Sequence, residues 1–378
     1  MALSFVLAPD AFKESMTALE ACQAMQRGIL AAYPAAQCIF VPMADGGEGT
    51  VDTMLSACSG QKIHVQVQGP LATQQIDSYF AVLDDGTAVI EMAKASGLEL
   101  LPLHERNPLL TSTYGTGQLI QAALARGVKK ILIGLGGSAT NDAGSGMAQA
   151  LGVRFLDAQQ QALQMNGSQL QHVQQIDTEQ LDPRLREVEI IIASDVSHVL
   201  CGEQGASYVF GPQKGATAAM VAALDAGLAH FAGCVEQHLQ GSWQHCAGAG
   251  AAGGLGFGLL AFAQATLCSG AQLMIEHTAL AAKIRTADYV FTGEGKIDGQ
   301  TEMGKVPWAV AQLARQHQVP VVAFAGKVSA EAPQRLAAHF QQLIAITPEH
   351  VSLAQALKDA EEYLARACYD YVLQLKLQ

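Results

Sequence analysis

The sequence predicts an α/β protein: a doubly wound, mostly parallel sheet of Rossmann or flavodoxin-like type, with a second α/β domain inserted into it. Three observations carry that expectation. The chain opens and closes with short apolar strands alternating with amphipathic helices, the pattern of βαβ units. Between them lies a stretch of different texture, where apolar and polar residues alternate around an Asp84-Asp85-Gly86 turn. At 378 residues the chain also exceeds the usual size of one hydrophobic core.

Leu3 to Ala8 is a short apolar strand closed by Pro9-Asp10. Thr17 and Glu20 then form a capping box, which starts a helix whose Ala18, Cys22, Met25 and Ile29 share one face until Pro34. Cys38 to Val41 is the next strand. It leads through Pro42-Met43-Ala44-Asp45-Gly46-Gly47-Glu48-Gly49-Thr50 to a helix over 51–57. Lys62 to Gln68, Asp77 to Leu83 and Thr87 to Met92 read as a small antiparallel meander, where the second domain is expected to begin. A helix from Thr116 to Ala125 stops at Gly127 and feeds the stretch Ile131 to Met147. There an apolar run enters a loop holding Gly134, Gly136, Gly137, Gly144 and Gly146, and a helix resumes. Backbone N–H groups freed at such a turn suit a phosphate, because the helix N-terminus adds positive potential. The alternative is a tight strand-to-helix turn with no ligand.

Gln159 to Gln180 reads as an exposed connection, and Val188 to Ala193 as a buried strand ending at Ser194-Asp195. Ala218 to Leu239 is a helix; the spacing of His230, His238 and His245 matches no zinc pattern. Asp288 to Thr292, Val319 to Phe324 and Leu343 to Ile346 read as parallel strands again, with helices at Val306 to Gln316 and Leu353 to Leu375. The economical division is a discontinuous domain of residues 1–60 plus 285–378, with 61–284 inserted. The units at 115–155 and 187–196 fit either sheet.

Composition narrows the function classes. The formal charge of −12 argues against nucleic acid as the main partner, since phosphate backbones need a surplus of lysine and arginine. The segment from Ala247 to Ala265 is too rich in glycine and alanine for a membrane span. The N-terminus carries no basic region or cleavage pattern, and the eight cysteines are scattered with no CxxC pair. Reduced thiols and a cytoplasmic location are expected.

In open α/β sheets ligands bind at the carboxyl ends of the strands. The residues after each predicted strand are Asp10 and Lys13, Asp45 and Glu48, Asn141 and Asp142, Ser194 and Asp195, and Glu294 and Asp298. Any single acid could cap the helix after its own strand. Carboxylates gathered at one cleft instead call for a hard divalent cation, and Mg²⁺ with phosphate oxygens is the natural one. Lys13, Lys94, Lys214, Lys296, Lys305 and Lys327 each lie in or beside a glycine-bearing loop. Metal, cations, backbone N–H groups and an acid to orient a hydroxyl are the parts of a phosphoryl-transfer site. No P-loop, no protein-kinase motif set and no GxGxxG after the first strand is present. Lys214, in Gly211-Pro212-Gln213-Lys214-Gly215, is expected to contact a phosphate or a substrate carboxylate.

The motifs themselves carry a resemblance. A-P-D-A-F-K-E-S at 8–15, P-M-A-D-G-G-E-G-T at 42–50, G-L-G-G-S-A-T-N-D at 134–142, F-G-P-Q-K-G-A at 210–216, G-E-G-K-I-D-x-Q-T at 293–301 and G-K-V-P at 304–307 resemble the type I glycerate kinases, in the family's order. The resemblance implies ATP-dependent phosphorylation of D-glycerate with Mg²⁺ at the 2-hydroxyl, giving 2-phospho-D-glycerate, by two α/β domains with the active site between them. Three departures stand out. His198-Val199 replaces a usual Asn-Pro pair, Ala143 replaces a usual glycine, and the chain after Ser329 is shorter than usual and loosely matched.

The roles expected from residue chemistry are these. Asp10 is a general base of ordinary carboxylate pKa, and Lys13 holds the glycerate carboxylate. Asp45 and Asp195 complete the catalytic set, with Mg²⁺ on Asp195 and one of Asp45 or Glu294. Glu48, Gly136, Gly137, Ser138, Asn141, Asp142, Lys214, Glu294, Asp298 and Lys305 surround substrate and phosphates. Glycerate and ATP are the partners expected, with no nucleic acid and no membrane. A kinase for another small hydroxy acid, or a non-catalytic nucleotide or glycerate sensor, are the competing readings. The sequence leaves open the oligomeric state, the identity of the base, and 2- against 3-phosphorylation.

Overall fold

The computed structural model of this chain describes residues 2–47, 49–299, 301–336 and 338–375. Glu48, one of the expected site residues, lies outside them. The chain divides into two compact units, Met1–Asp45 with Asp52–Cys58 and Ser269–Gln378, and Gly46–Val51 with Ser59–Cys268.

In the first unit, among the described residues, five strands run parallel in the order Gln342–Ala345, Val321–Val328, Tyr289–Ile297, Ser4–Leu7, Gln37–Phe40. The three central strands carry buried apolar runs, as a parallel sheet requires, while the edge strands Gln37–Phe40 and Gln342–Ala345 are half-buried to exposed. Phe5, Phe291 and Phe324 meet at ring-centroid distances of 5.2 and 5.0 Å. Helices Ala18–Ala32 and Ala360–Leu375 lie close together, and Gly28 permits it: a Cβ there would meet the Ala365 carbonyl oxygen at 2.0 Å. Thr17 and Glu20 form the expected capping box. The expected helix Leu353–Leu375 is two helices, Leu353–Lys358 and Ala360–Leu375, broken where Asp359 leaves helical geometry at φ −103° and ψ 14°. The strand expected to end at Thr292 continues to Ile297, because residues 290–297 pair along Val321–Val328. Glu294 therefore sits on a strand, not in a loop.

In the second unit the strand order is Thr266–Cys268, Glu189–Ala193, Lys130–Gly134, Thr87–Glu91, Gln75–Leu83, Gly60–Gln68. The first four are parallel, and the last two add antiparallel pairs. The strands near 131 and 188, which fitted either sheet on sequence, belong to this one. Ile90, Ile131, Ile133, Ile190 and Ile192 form its core with Leu119 and Leu255. The segment Gly46–Val51 joins this unit through glycine contact. A Cβ on Gly134 would meet the Gly46 carbonyl oxygen at 2.5 Å, and one on Gly46 would meet that of Ala193 at 2.3 Å. Helix Ala218–Leu239 is long and apolar enough by composition to cross a membrane. Its Leu228, Phe231 and Val235 nevertheless pack in a core with Phe155 and Phe257, as in a buried core helix of a globular unit.

Candidate active site

In the glycine-rich loop of the second unit the acid is turned inward. Asp142 is fully buried and accepts hydrogen bonds from Thr113 N and Oγ1, both 2.8 Å, and from Gly144 N and Gly146 N, both 3.2 Å. It thereby fills the anion position at the start of helix Ser145–Ala150 with a side chain of the chain itself. Burial raises the Asp142 pKa, and the bonds from Thr113, Gly146 and Gly144 oppose that rise. Asn141, also fully buried, bonds Ser207 Oγ at 3.2 Å.

Lys214 is 1% exposed. Its Nζ donates to Ser138 Oγ at 2.8 Å and to the Thr140 carbonyl at 2.6 Å. Burial pushes its pKa down to about 7, with Asp142 acting the other way. A neutral amine has two N–H donors, enough for both acceptors. In this structure Lys214 ties the Gly211–Gly215 turn to the glycine loop. Ser138, Asn141 and Asp142 are likewise spent inside the unit, and of the expected phosphate-binding residues here Gly136 and Gly137 keep exposed surface.

Glu91 repeats the Asp142 pattern. It is 1% exposed and accepts from Gly49 N at 3.2 Å and Val51 N at 2.6 Å. Both Glu91 and Thr113 escaped the sequence reading. Glu91 had a signal, a lone carboxylate closing the apolar strand Thr87–Glu91; Thr113 had none, since its partner Asp142 lies 29 residues away. Asp195 follows the strand Glu189–Ala193, as expected, and stays part-exposed. His198 Nδ1 lies 2.9 Å from the Gln204 carbonyl oxygen and its ring meets Phe210 edge-on, so it shapes its own turn.

The first unit holds an open cavity of about 760 Å³. Asp10, Lys13, Asp45, Glu294 and Lys305 line it. The backbone positions Asp10 through Asp10 N to Gly293 O at 2.9 Å, while its Oδ1 accepts from Ala11 N at 2.8 Å. Asp10 keeps some exposed surface, yet desolvation is the largest influence on its carboxyl, followed by Asp45, and together they raise its pKa well above the ordinary carboxylate value. The expectation of an ordinary pKa is corrected. Glu294, 6% exposed, accepts from Thr301 Oγ1 at 2.9 Å and from Lys305 Nζ at 3.1 Å. Its pKa is raised by burial and held back chiefly by Lys305. Asp298 pairs with Lys296 at 2.7 Å and turns the chain through its N–H on Thr301 Oγ1. Lys13 is exposed and makes no ion pair with Glu14 or Glu20 among the described residues; the Glu20 carboxylate serves the Thr17 cap. Among the described residues no group of three or more His, Cys, Asp or Glu is placed to hold a metal ion.

Carboxylates of raised pKa beside lysines, at the carboxyl edge of a parallel sheet, define an α/β enzyme that acts on small anionic substrates. Residues 5–376 match the glycerate kinase family. The chain is 45% identical over 376 residues to the glycerate kinase of Bacillus subtilis, covering 99% of this chain and 98% of that one. It is 45% identical to the glycerate 2-kinase of Escherichia coli over 328 residues, 86% of each. A crystal structure assigned as glycerate kinase 2 from Salmonella typhimurium LT2 superposes with a TM-score of 0.87 at 42% identity, covering 100% of this chain and 99% of that one. This chain belongs to the glycerate kinase family.

Proposed function

We propose that the protein phosphorylates D-glycerate with ATP at the 2-hydroxyl, giving 2-phospho-D-glycerate and ADP. The observation that carries the reading is the Asp10 carboxyl, raised well above its usual range, in a cavity it shares with Asp45, Lys13 and the Glu294–Lys305 pair. A carboxylate of raised pKa is a stronger base than an ordinary one, so Asp10 takes the hydroxyl proton as the phosphoryl group arrives. Lys13, exposed in the same cavity, holds the substrate carboxylate. Lys305, already fixed by Glu294, presents its charge to the migrating phosphoryl oxygens.

The acids facing this cavity suit Mg²⁺, since desolvation and mutual repulsion are what raise Asp10. Magnesium is commonly held by one or two carboxylates with phosphate oxygens, so a three-ligand protein cage is not required. Asp45 and Glu294 line this cavity and are the candidate ligands in this unit; Asp195 is proposed as a metal ligand in its own right. When bound, the ion neutralises phosphate charge. Gly136 and Gly137 are the candidate backbone contacts for phosphate. The scattered cysteines with no CxxC pair suit a reducing setting, and we place the protein in the cytoplasm.

The test is ³¹P NMR of the product formed from D-glycerate and MgATP. The 2-phosphoglycerate resonance is expected. Exclusive 3-phosphoglycerate overturns the position, and glycerate-independent ATP loss overturns the reaction. Asp195→Asn should lower turnover far more than thermal stability, and an unchanged Mg²⁺ dependence removes Asp195 from the metal.

A further inference from the structure

The cavity of the first unit is too large and too apolar for a three-carbon acid alone. Its volume of about 760 Å³ lies within the range that encloses drug-sized ligands, about 300–1,000 Å³. Beyond the charged residues its wall includes Ile346, Pro348, Val351, Leu353, Ala356 and Leu357. Glycerate offers nothing to such a wall.

The sheet puts these residues in a fixed sequence across its carboxyl edge. Asp10 follows Ser4–Leu7, and Glu294 to Lys296 end the neighbouring strand. Gly326 and Lys327 end the strand after that, and Ile346 to Pro348 follow the edge strand Gln342–Ala345. Adjacent strands lie about 4.8 Å apart, so three steps separate the acid cluster from the apolar wall by roughly 14 Å. That span suits an elongated ligand, charged at one end and flat and apolar at the other.

The middle of the span is prepared for a chain of phosphates. Gly295 and Gly326 line the cavity there, where no side chain can intrude from them. Lys296 and Lys327 face each other in register beside them. Lys296 is neutralised by Asp298, whereas Lys327 is exposed and pairs with no acid among the described residues. At the far end Leu353 is 74% exposed, a large apolar side chain held at the cavity rim with no protein surface covering it.

We infer that this cavity is the nucleotide seat. The base and ribose lie against Ile346, Pro348, Leu353 and Leu357, and the phosphates cross Gly295 and Gly326 beside Lys327 toward Asp10 and Lys305. The inference rests on the reading of the protein as an ATP-dependent kinase and adds where, and by which face, the nucleoside is held.

Calorimetric titration separates the two ends. The probes are MgADP and magnesium tripolyphosphate, a phosphate chain with no nucleoside. Leu353→Glu and Leu357→Glu should each weaken MgADP at least tenfold and leave tripolyphosphate unchanged, while Lys327→Ala should weaken both. Leu353 is exposed enough that its variant keeps the wild-type melting temperature. If both leucine variants bind MgADP as tightly as wild type, and wild type turns glycerate over, the seat is wrong and the reaction stands. If wild type neither binds MgADP nor turns glycerate over, both readings fall.

Discussion

The two strand-end regions of this protein use the same residue types to opposite ends. In the second unit, Asp142, Glu91 and Lys214 are buried and hydrogen-bonded to the unit's own backbone and hydroxyls, with Lys94 also 3.8 Å from Glu91. In the first unit, Asp10, Asp45, Lys13 and Lys327 line an open cavity. A helix N-terminus that already holds a carboxylate has no potential left for a phosphate. An acid that is partly desolvated among other acids stores unfavourable energy that a substrate cation, proton or metal can relieve. The contrast is in what the acids face: open space in the first unit, and backbone amides in the second.

The largest expected effect tests the open region. Asp10→Asn should lower kcat by about 10²–10⁴-fold, the range for losing a general base. It should leave the melting temperature unchanged or higher, because the ionised acid is unfavourably placed in the fold. The wild-type rate should fall as pH drops through the raised Asp10 pKa, and the variant should lose that limb. Lys13→Ala should instead raise the KM for glycerate with kcat largely kept. A stability loss in both variants with intact kinetic constants would make the first region scaffolding too.

Next comes Asp142→Ala, which leaves three backbone N–H groups and the Thr113 hydroxyl without their acceptor. The expected loss is about 3 kcal/mol or more, read from urea unfolding midpoints. A variant of native stability that has lost only phosphate affinity would return the loop to the active site.

Lys214 gives a pH signature. Its folded pKa of about 7 lies below the ordinary 10.5, so between these values the unfolded chain binds more protons than the folded one. Stability should therefore rise with pH across that window and flatten below about 7, where both states are protonated. In Lys214→Met the rise should shrink. An equal slope in the two proteins would mean that the ammonium is not desolvated.

The smallest effect concerns Ala143, which stands at φ +54° and is fully buried. Ala143→Gly relieves about 1–2 kcal/mol of left-handed strain but gives up a buried methyl, about 0.8 kcal/mol, and backbone entropy in the unfolded chain. The net change should stay within about 1 kcal/mol of zero by thermal unfolding. A larger loss would show that the buried methyl contributes more than the strain costs.

The sequence by itself determined the elements and the position of most charged groups along the chain. Helix Ala218–Leu239 and helix Val306–Gln316 were legible to the residue, because each has a cap or proline at its start and a clear stop. The strand-end rule brought Asp10, Lys13, Asp45 and Glu294 into view, since it depends only on strand order along the chain. Tertiary structure decided what each group faces. The acceptor of the Thr113 hydroxyl, the burial of Lys214 and the extension of Tyr289–Ile297 all depend on partners tens of residues away. Local spacing carries no record of those partners. Whether a carboxylate meets an amide or open space is settled by packing, and packing also decides whether a motif is chemistry or framework.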